Sequence, residues 1–158
     1  MGFALSEIQL QSTAFKNGEM IPDKHTGTGE DVSPELHWSK PPEGTKAYAL
    51  ICHDPDAPLI SENGTYGFVH WTLYNIPADV TSLAEGSGEF TQGVNNMGNS
   101  GYNGPMPPEG HGDHHYYFWI LALDKETALE PGLSMGELLQ KIEPNVLGMN
   151  RLIGIYRR

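Results

Sequence analysis

The chain has 158 residues, and its 20 acidic and 9 basic side chains give a formal net charge of -11 at pH 7. This excess of acid argues against nucleic acid as a partner, because such binding rests on Lys and Arg that neutralise phosphates. It also argues against electrostatic docking on anionic lipid. No stretch reaches the roughly 20 apolar residues of a membrane span, so we expect no stable membrane insertion. The 19 glycines and 12 prolines favour β structure over a helical bundle.

The first ten residues, MGFALSEIQL, contain neither a basic region nor a long apolar run. They do not read as a signal peptide, and we expect a cytoplasmic protein. Cys52 is the only cysteine, which excludes an internal disulfide and fits a reducing compartment. The sequence shows no internal repeat, charge block or linker, so we expect a single domain over residues 1–158.

In chain order, the pattern is mainly that of strands, because β-branched and aromatic residues recur in short segments bounded by turn residues. The segment HHYYFWILALD is apolar for most of its length, as is typical of a strand buried on both faces. The predicted strands cover residues 3–10, 35–38, 45–54, 66–77, 114–124 and 151–158.

One segment, residues 134–144, predicts a helix, because Ser134 and Glu137 form a capping-box pattern ahead of apolar residues that share a face. Residues 86–113 are rich in glycine and proline and lack a periodic apolar pattern, which is typical of a functional or disordered loop. With strands first and one helix late, we predict a mainly β protein built as a sandwich of two sheets.

Polar side chains occur beside Gly-Pro corners at the ends of the predicted strands. Asp54 and Asp56 lie in the turn sequence DPDAP, His70 lies on the strand FVHWTLYNIP, and His114 and Tyr116 begin the strand HHYYF. Each of these residues, taken alone, is more often a turn cap or a core residue than part of a site. Side chains alternate across a strand. Alternation therefore predicts Phe68, His70 and Thr72 on one face, opposite Val69, Trp71 and Leu73, and it separates His115 from His114.

Enzyme signatures are weak. There is no Gly-x-Ser-x-Gly elbow in a strand-turn-helix context. The consecutive Cys52, His53 and Asp54 alternate in direction on a strand, so they do not form a catalytic triad. The segment HGDHH lacks the spacing of a helical zinc motif. A metal site formed by Asp56, His70 and His114 remains an alternative.

Two segments together carry a resemblance to a known family. The pattern DPDAP followed by FVHW, and then GPMPPEGHGDHHY, resembles the phosphatidylethanolamine-binding protein family, and in particular its bacterial and archaeal, Raf-kinase-inhibitor-like branch. The resemblance runs from about Ser33 to the end of the chain. It implies a Greek-key β-sandwich of two antiparallel sheets with one or two short helices and a pocket for phosphate-like anions, without a cofactor. The implied ligand-binding residues are Asp54, Asp56, Pro58, Phe68, His70, Pro107, Pro108, His114 and Tyr116.

The sequence also departs from the family pattern. Met106 stands where many eukaryotic relatives have glycine, Asn103 replaces a common bacterial glycine, and the loop 109–113 carries an additional histidine. These positions surround the implied pocket mouth. The resemblance further makes the Ala57–Pro58 bond a candidate cis peptide, since cis bonds are nearly confined to X-Pro.

The resemblance and the residues together predict a non-enzymatic binding protein for a small anion such as a phosphorylated head group. Two alternatives remain: inhibition of a protein kinase or serine protease through the pocket loops, and metal-dependent hydrolysis by the His/Asp cluster. A homodimer is a candidate assembly. We hypothesise that His70 must be at least partly cationic for tight phosphate binding, and that the aspartates orient and keep protonated a neighbouring histidine or face an ammonium group.

Overall fold

The computed structural model describes residues 5–57 and 67–158, which form two antiparallel β-sheets. The elements are β1 (Gln9–Gln11), β2 (Leu36–Ser39), β3 (Ala47–Asp54), β4 (Phe68–Pro77), β5 (Ser82–Leu83), β6 (Thr91–Gln92), β7 (His114–Leu123), α1 (Met135–Ile142) and β8 (Val146–Tyr156). The larger sheet has the strand order β6-β4-β3-β7-β8, and the smaller has the order β1-β2-β5. The predicted mainly β fold of two antiparallel sheets with a short helix is confirmed.

The main core lies between the two sheets. Alternating side chains of β3 and β7 point into it, because successive residues of a strand face opposite sides. The smaller sheet supplies Leu10, Leu36 and Trp38, and Ile8 joins them from just before β1, all at most 5% exposed. The larger sheet supplies Tyr48, Leu50, Cys52, Trp71, Leu73, Tyr116, Phe118, Ile120 and Leu152.

The opposite face of the larger sheet is covered by α1. Ser134 accepts a hydrogen bond from the Glu137 backbone N–H, and Glu137 accepts one from the Ser134 N–H, so the predicted capping box is present. Leu138 and Ile142 are buried against Ala49, Ile51 and neighbouring apolar residues of the sheet. Both faces of β3 are therefore buried, which explains its nearly continuous apolar sequence.

Two predicted strand limits were wrong. The last strand begins at Val146, five residues before the predicted start, because it pairs with β7 along its whole length despite the weak strand formers Gly148 and Asn150. The first strand is confined to Gln9–Gln11, and residues 1–4 lie outside the described part of the chain. The short strands β5 and β6 were not predicted.

A β-bulge interrupts β4 next to the site. Cys52 of β3 pairs with Trp71, whereas the following residue His53 pairs with Val69, so His70 is the additional residue on β4. Simple alternation across residues 68–73 was therefore wrong. Trp71 joins Cys52 in the core between the sheets, while Phe68 pairs with Asp54 on the continuation of that same face.

Candidate functional site

Three strand ends meet at one edge of the larger sheet. Asp54 ends β3, Phe68 begins β4 and His114 begins β7, and since both neighbours run antiparallel to β3, these ends lie side by side. They border a cavity of about 490 Å³, a size that suits a small molecule. The described residues that line it are Gly27, Asp31, Asp54, Ala57, Phe68, His70, Met97, Asn103, Gly104, Met106, Pro107, Pro108, His114 and Tyr116.

Asp54 and His114 form a buried pair. The Nδ1 atom of His114 lies 2.7 Å from Oδ2 of Asp54, and both side chains are 3% exposed. The second carboxylate oxygen of Asp54 accepts the backbone N–H of Asp56 at 2.8 Å, which is the turn bond expected of an Asp-Pro-Asp sequence. An ionised carboxylate has only acceptors, so Nδ1 of His114 carries the shared hydrogen. The predicted aspartate partner of a histidine is therefore found at His114.

His70 is held by a different group. Its Nδ1 lies 2.7 Å from the backbone oxygen of Asn103, and a carbonyl can only accept, so Nδ1 is the donor. The ring packs between those of Phe68 and Tyr116, at centroid distances of 4.7 and 5.2 Å. Burial lowers the pKa of His70 below that of a free imidazole, although the Asn103 carbonyl and Asp54 favour the charged form. Within residues 5–57 and 67–158, Nε2 of His70 has no hydrogen-bond partner.

Tyr116 completes the inner wall. Tyr116 is 1% exposed. Burial, reinforced by the charge of the Asp54 carboxylate, raises the pKa of its hydroxyl well above that of a free phenol. The hydroxyl is therefore a permanent donor at physiological pH. It makes no hydrogen bond to another residue of the described chain. Together His70 and Tyr116 supply two polar groups at the cavity that have no hydrogen-bond partner in the described part of the chain.

Asp31 is a second carboxylate at the cavity, and the sequence did not indicate it. Its Oδ1 accepts the Gly104 N–H at 2.7 Å, and its Oδ2 accepts from the Asn103 side chain at 3.2 Å. A Cβ at Gly104 would clash with the backbone oxygen of His25, so only glycine permits this approach. The unusual φ of 59° at Asp31 is the structural signal, and no sequence motif marks it.

Asn103 links these parts of the site. Besides holding the His70 ring, it donates its backbone N–H to the His70 oxygen at 3.1 Å, and its side-chain oxygen accepts from Asn95 and Asn99. The glycine expected at this position could not make the side-chain bonds. The departure from the family pattern thus adds a polar network behind His70.

Asp56 turns away from the cavity. Its Oδ2 accepts both the backbone N–H and the Nδ1 of His115 at 2.7 Å. Burial alone would raise the pKa of Asp56, but the hydrogen bonds and charge of His115 outweigh it and lower the pKa. Asp56 is absent from the described residues that line the cavity, and it acts on the site through its backbone bond to Asp54. Pro58 and the Ala57–Pro58 bond lie outside the described residues, so the candidate cis peptide stays a prediction.

The mouth of the cavity is mainly apolar. Pro107 is buried in the wall, while Pro108 and the side chains of Met97 and Met106 are exposed at the rim. Arg158 fixes this loop, because its Nε donates to the Pro107 oxygen at 2.7 Å. The predicted proline pair thus borders the same cavity as Asp54, Phe68, His70, His114 and Tyr116.

The candidate metal site is not assembled among the described residues. Asp56 is bonded to His115, His70 to Asn103, and His114 to Asp54, so the three proposed ligands do not converge. Residues 5–57 and 67–158 contain no group of three or more His, Cys, Asp or Glu that could hold a metal ion. Within the same residues, no helix is both long and apolar enough to cross a membrane.

A larger cleft of about 950 Å³ opens at the opposite end of the sheet, where β3 begins and β4 ends. Its described lining contains Lys, Asp and Glu side chains but none of the residues singled out in the sequence. The smaller cavity is the better candidate, because residues of both sequence motifs line it, among them Asp54, His70 and Tyr116.

Comparisons with known proteins agree with this architecture. The family model for phosphatidylethanolamine-binding protein matches residues 11–157. A UPF0098 protein of Aquifex aeolicus is 42% identical over 159 residues, which cover 96% of this chain and 89% of that protein. A solved phosphatidylethanolamine-binding protein homologue from Chlamydia trachomatis aligns with a TM-score of 0.87 at 37% identity, over 96% of this chain and 97% of the other. E. coli YbcL aligns with a TM-score of 0.87 at 33% identity, over 97% and 99% of the two chains. The chain belongs to the phosphatidylethanolamine-binding protein family.

Proposed function

We propose that this protein is a non-enzymatic binding protein whose cavity takes a small phosphate-like anion, such as a phosphoethanolamine head group. The observation that carries the proposal is a pair of polar groups on residues that line the cavity, the His70 Nε2 and the Tyr116 hydroxyl, which have no hydrogen-bond partner in the described chain. Polar groups that line a cavity and have no partner within the protein are free to bond to water or to a ligand, and one small ligand could bond to both of these groups.

The protonation of His70 sets how the anion binds. With Nδ1 donating to Asn103, a neutral ring offers Nε2 only as an acceptor. Since burial lowers the pKa of His70, the empty site holds the neutral form at pH 7. A neutral His70 cannot donate to a dianion, so a hydrogen bond from Nε2 to the anion, added to the one from Tyr116, requires His70 to take up a proton. Affinity for phosphate should therefore rise as the pH falls, in agreement with the hypothesis drawn from the sequence.

The carboxylates at the cavity refine the ligand class. Asp54 is buried and Asp31 is partly buried, and both line the wall. Carboxylates repel a phosphate and attract an ammonium group. A zwitterion that carries an amine beside its phosphate suits this wall better than inorganic phosphate does. The alternatives of kinase or protease inhibition and of metal-dependent hydrolysis stay predictions.

The test is titration calorimetry with O-phosphoethanolamine and with inorganic phosphate, between pH 5.5 and 8.5. The variants are His70→Ala and Tyr116→Phe, and His37→Ala is the matched control, because His37 lies on β2 and bonds to Glu35 outside the cavity. We expect saturable binding that both site variants weaken and the control keeps, with tighter binding of the zwitterion. No binding by the wild type, or equal affinity across the pH range, would contradict the proposal.

A further inference from the structure

The Asp54–His114 pair is extended to the protein surface by a third side chain. Nδ1 of His111 lies 2.7 Å from Nε2 of His114, and the two rings have centroids 5.0 Å apart. His111 is exposed, whereas His114 is buried. Both ring nitrogens of His114 are thus bonded inside the protein, one to Asp54 and one to His111. His114 has no N–H left to donate to a ligand in this arrangement.

The 2.7 Å contact between two ring nitrogens fixes the number of protons that the group can hold. One nitrogen must carry a hydrogen and the other must accept it. With both rings neutral and Asp54 ionised, His111 donates to His114, and the three side chains carry one negative charge. One additional proton on either ring makes the group neutral and keeps the contact. A second additional proton places two N–H groups face to face and breaks it.

This count matters to an anion in the cavity, because His114 and Asp54 line its wall. In the state with fewer protons the wall repels a phosphate, and with one more proton on a ring the charge of Asp54 is offset by that of the imidazolium. A ligand that fills the cavity covers His114, while His111 stays on the outside. Protons can then exchange between the Asp54–His114 pair and solvent through His111.

The backbone holds His111 in place for this contact. Its N–H donates to the Pro108 oxygen at 3.2 Å, and the Gly110 N–H donates to the Arg158 oxygen at 3.0 Å. Gly110 and Gly112 have φ angles of 72° and 88°, which let the loop turn the ring back toward His114 three residues on.

Other charged and titratable groups lie around these three side chains. They line the same cavity, adjoin the turn after β3, or hold the loop that carries His111. They are Asp31, Asp56, His70, Asp113, His115, Tyr116, Arg157 and Arg158.

We propose that His111 is a positioning residue for the cavity: it holds the His114 ring and passes one proton from solvent to the Asp54–His114 pair when an anion binds. The inference rests on the proposed function, because it names how the charge of that same site is regulated. Recognition of the anion by His70 and Tyr116 and neutralisation of the wall through His111 are separate steps.

The test compares the wild type with His111→Asn. The Asn amide can donate to Nε2 of His114 in place of Nδ1 of His111, but it takes up no proton. His37→Asn is the control, since His37 is a half-buried histidine on β2 that pairs with Glu35 away from the cavity. Two measurements are made on each protein: the titration of the histidine rings by ¹⁵N NMR without ligand, and the proton uptake on binding O-phosphoethanolamine, from calorimetry in buffers of different ionisation enthalpy.

In the wild type we expect His111 and His114 to titrate as a coupled pair in two steps, and His114 to titrate in one step in His111→Asn. Proton uptake on binding should fall by as much as one in that variant. The affinity of His111→Asn should then depend on pH less steeply than that of the wild type, by up to a factor of ten per pH unit. The control should keep the pH dependence of the wild type. If the wild type and His111→Asn both bind with equal proton uptake, or if the titration of His114 is the same in both, the role of His111 is refuted while the proposed function stands. Absence of binding by the wild type overturns the proposed function together with it.

Discussion

The two aspartates of the DPD turn should differ sharply in their contribution to stability. Asp54 and His114 are each 3% exposed in their side chains, whereas Asp56 and His115 are exposed by 41% and 43%. Both pairs have the same 2.7 Å separation between nitrogen and oxygen, so distance alone does not distinguish them. The difference lies in the solvent around them.

Replacing Asp54 with Asn keeps the acceptor for the Asp56 N–H but removes the charge opposite His114. The amide then faces Nδ1 of His114, which must become an acceptor, and Nε2 must carry the hydrogen toward His111. A hydrogen bond to a buried charged group contributes about 1.5–3 kcal/mol. We expect Asp54→Asn to lower the free energy of unfolding by about 2 kcal/mol. Asp54→Ala should cost more, about 3 kcal/mol, because it leaves a buried donor of His114 without a partner.

Asp56→Asn is the matched control. An exposed ion pair contributes roughly 0–1 kcal/mol, since water and salt screen it, and the Asn oxygen can still accept the His115 backbone N–H. Urea unfolding at pH 7 measures all three variants. Thermal unfolding should agree, with Asp54→Asn melting about 4–8 °C below the wild type. Equal losses in Asp54→Asn and Asp56→Asn would refute the reasoning, because they would mean that burial of the Asp54–His114 pair adds nothing.

Three further outcomes follow from the geometry. Gly104→Ala should destabilise the protein by about 2 kcal/mol or more in urea unfolding, because its Cβ would clash with the His25 oxygen, while Gly88→Ala, with no atom within 4 Å, should change stability by less than about 1 kcal/mol. Because the pKa of His70 is lowered in the folded protein, the unfolded chain takes up a proton on this ring at a higher pH than the folded protein does. The contribution of His70 to the free energy of unfolding is therefore present above about pH 6.5 and is lost as the pH falls below it. His70→Asn should therefore lose less stability than the wild type between pH 7.5 and 5.5 in urea titrations, and an equal loss would contradict this. Ser134→Ala should cost about 1 kcal/mol by removing the capping box of α1, which thermal unfolding can detect.

Much of the fold could be predicted because its strands carry their own local signal. The strands β3, β4 and β7 combine aromatic and β-branched residues with turn residues at their ends, and the capping box marks the start of α1. The long strand β8 shows the limit. Its first half contains Gly148 and Asn150, and it is a strand because it pairs with β7, a contact that no local pattern encodes.

The candidate site could be predicted where a motif brings the residues together. Asp54, His70, His114 and Tyr116 lie in two motifs, and antiparallel pairing brings these motifs to one sheet edge. Asp31 could not be predicted, since it enters from a loop outside both motifs. Strand alternation alone also could not predict which side chains bond to each other, because the hydrogen bond between His115 and Asp56 depends on how the turn after β3 folds.

Because of the bulge at His70, the side chains of β4 that precede it and those that follow it do not share one alternation across the sheet. From Trp71 to Leu73 the strand is in step with the core between the sheets, and before it Phe68 is in step with Asp54. Removal of the one additional residue would keep Trp71 and Leu73 in the core and rotate Phe68 to the other side of the sheet. The additional residue therefore lets one strand place side chains both at the cavity and in the core. Mutations at the cavity end of β4 should then leave the packing of Trp71 and Leu73 unchanged.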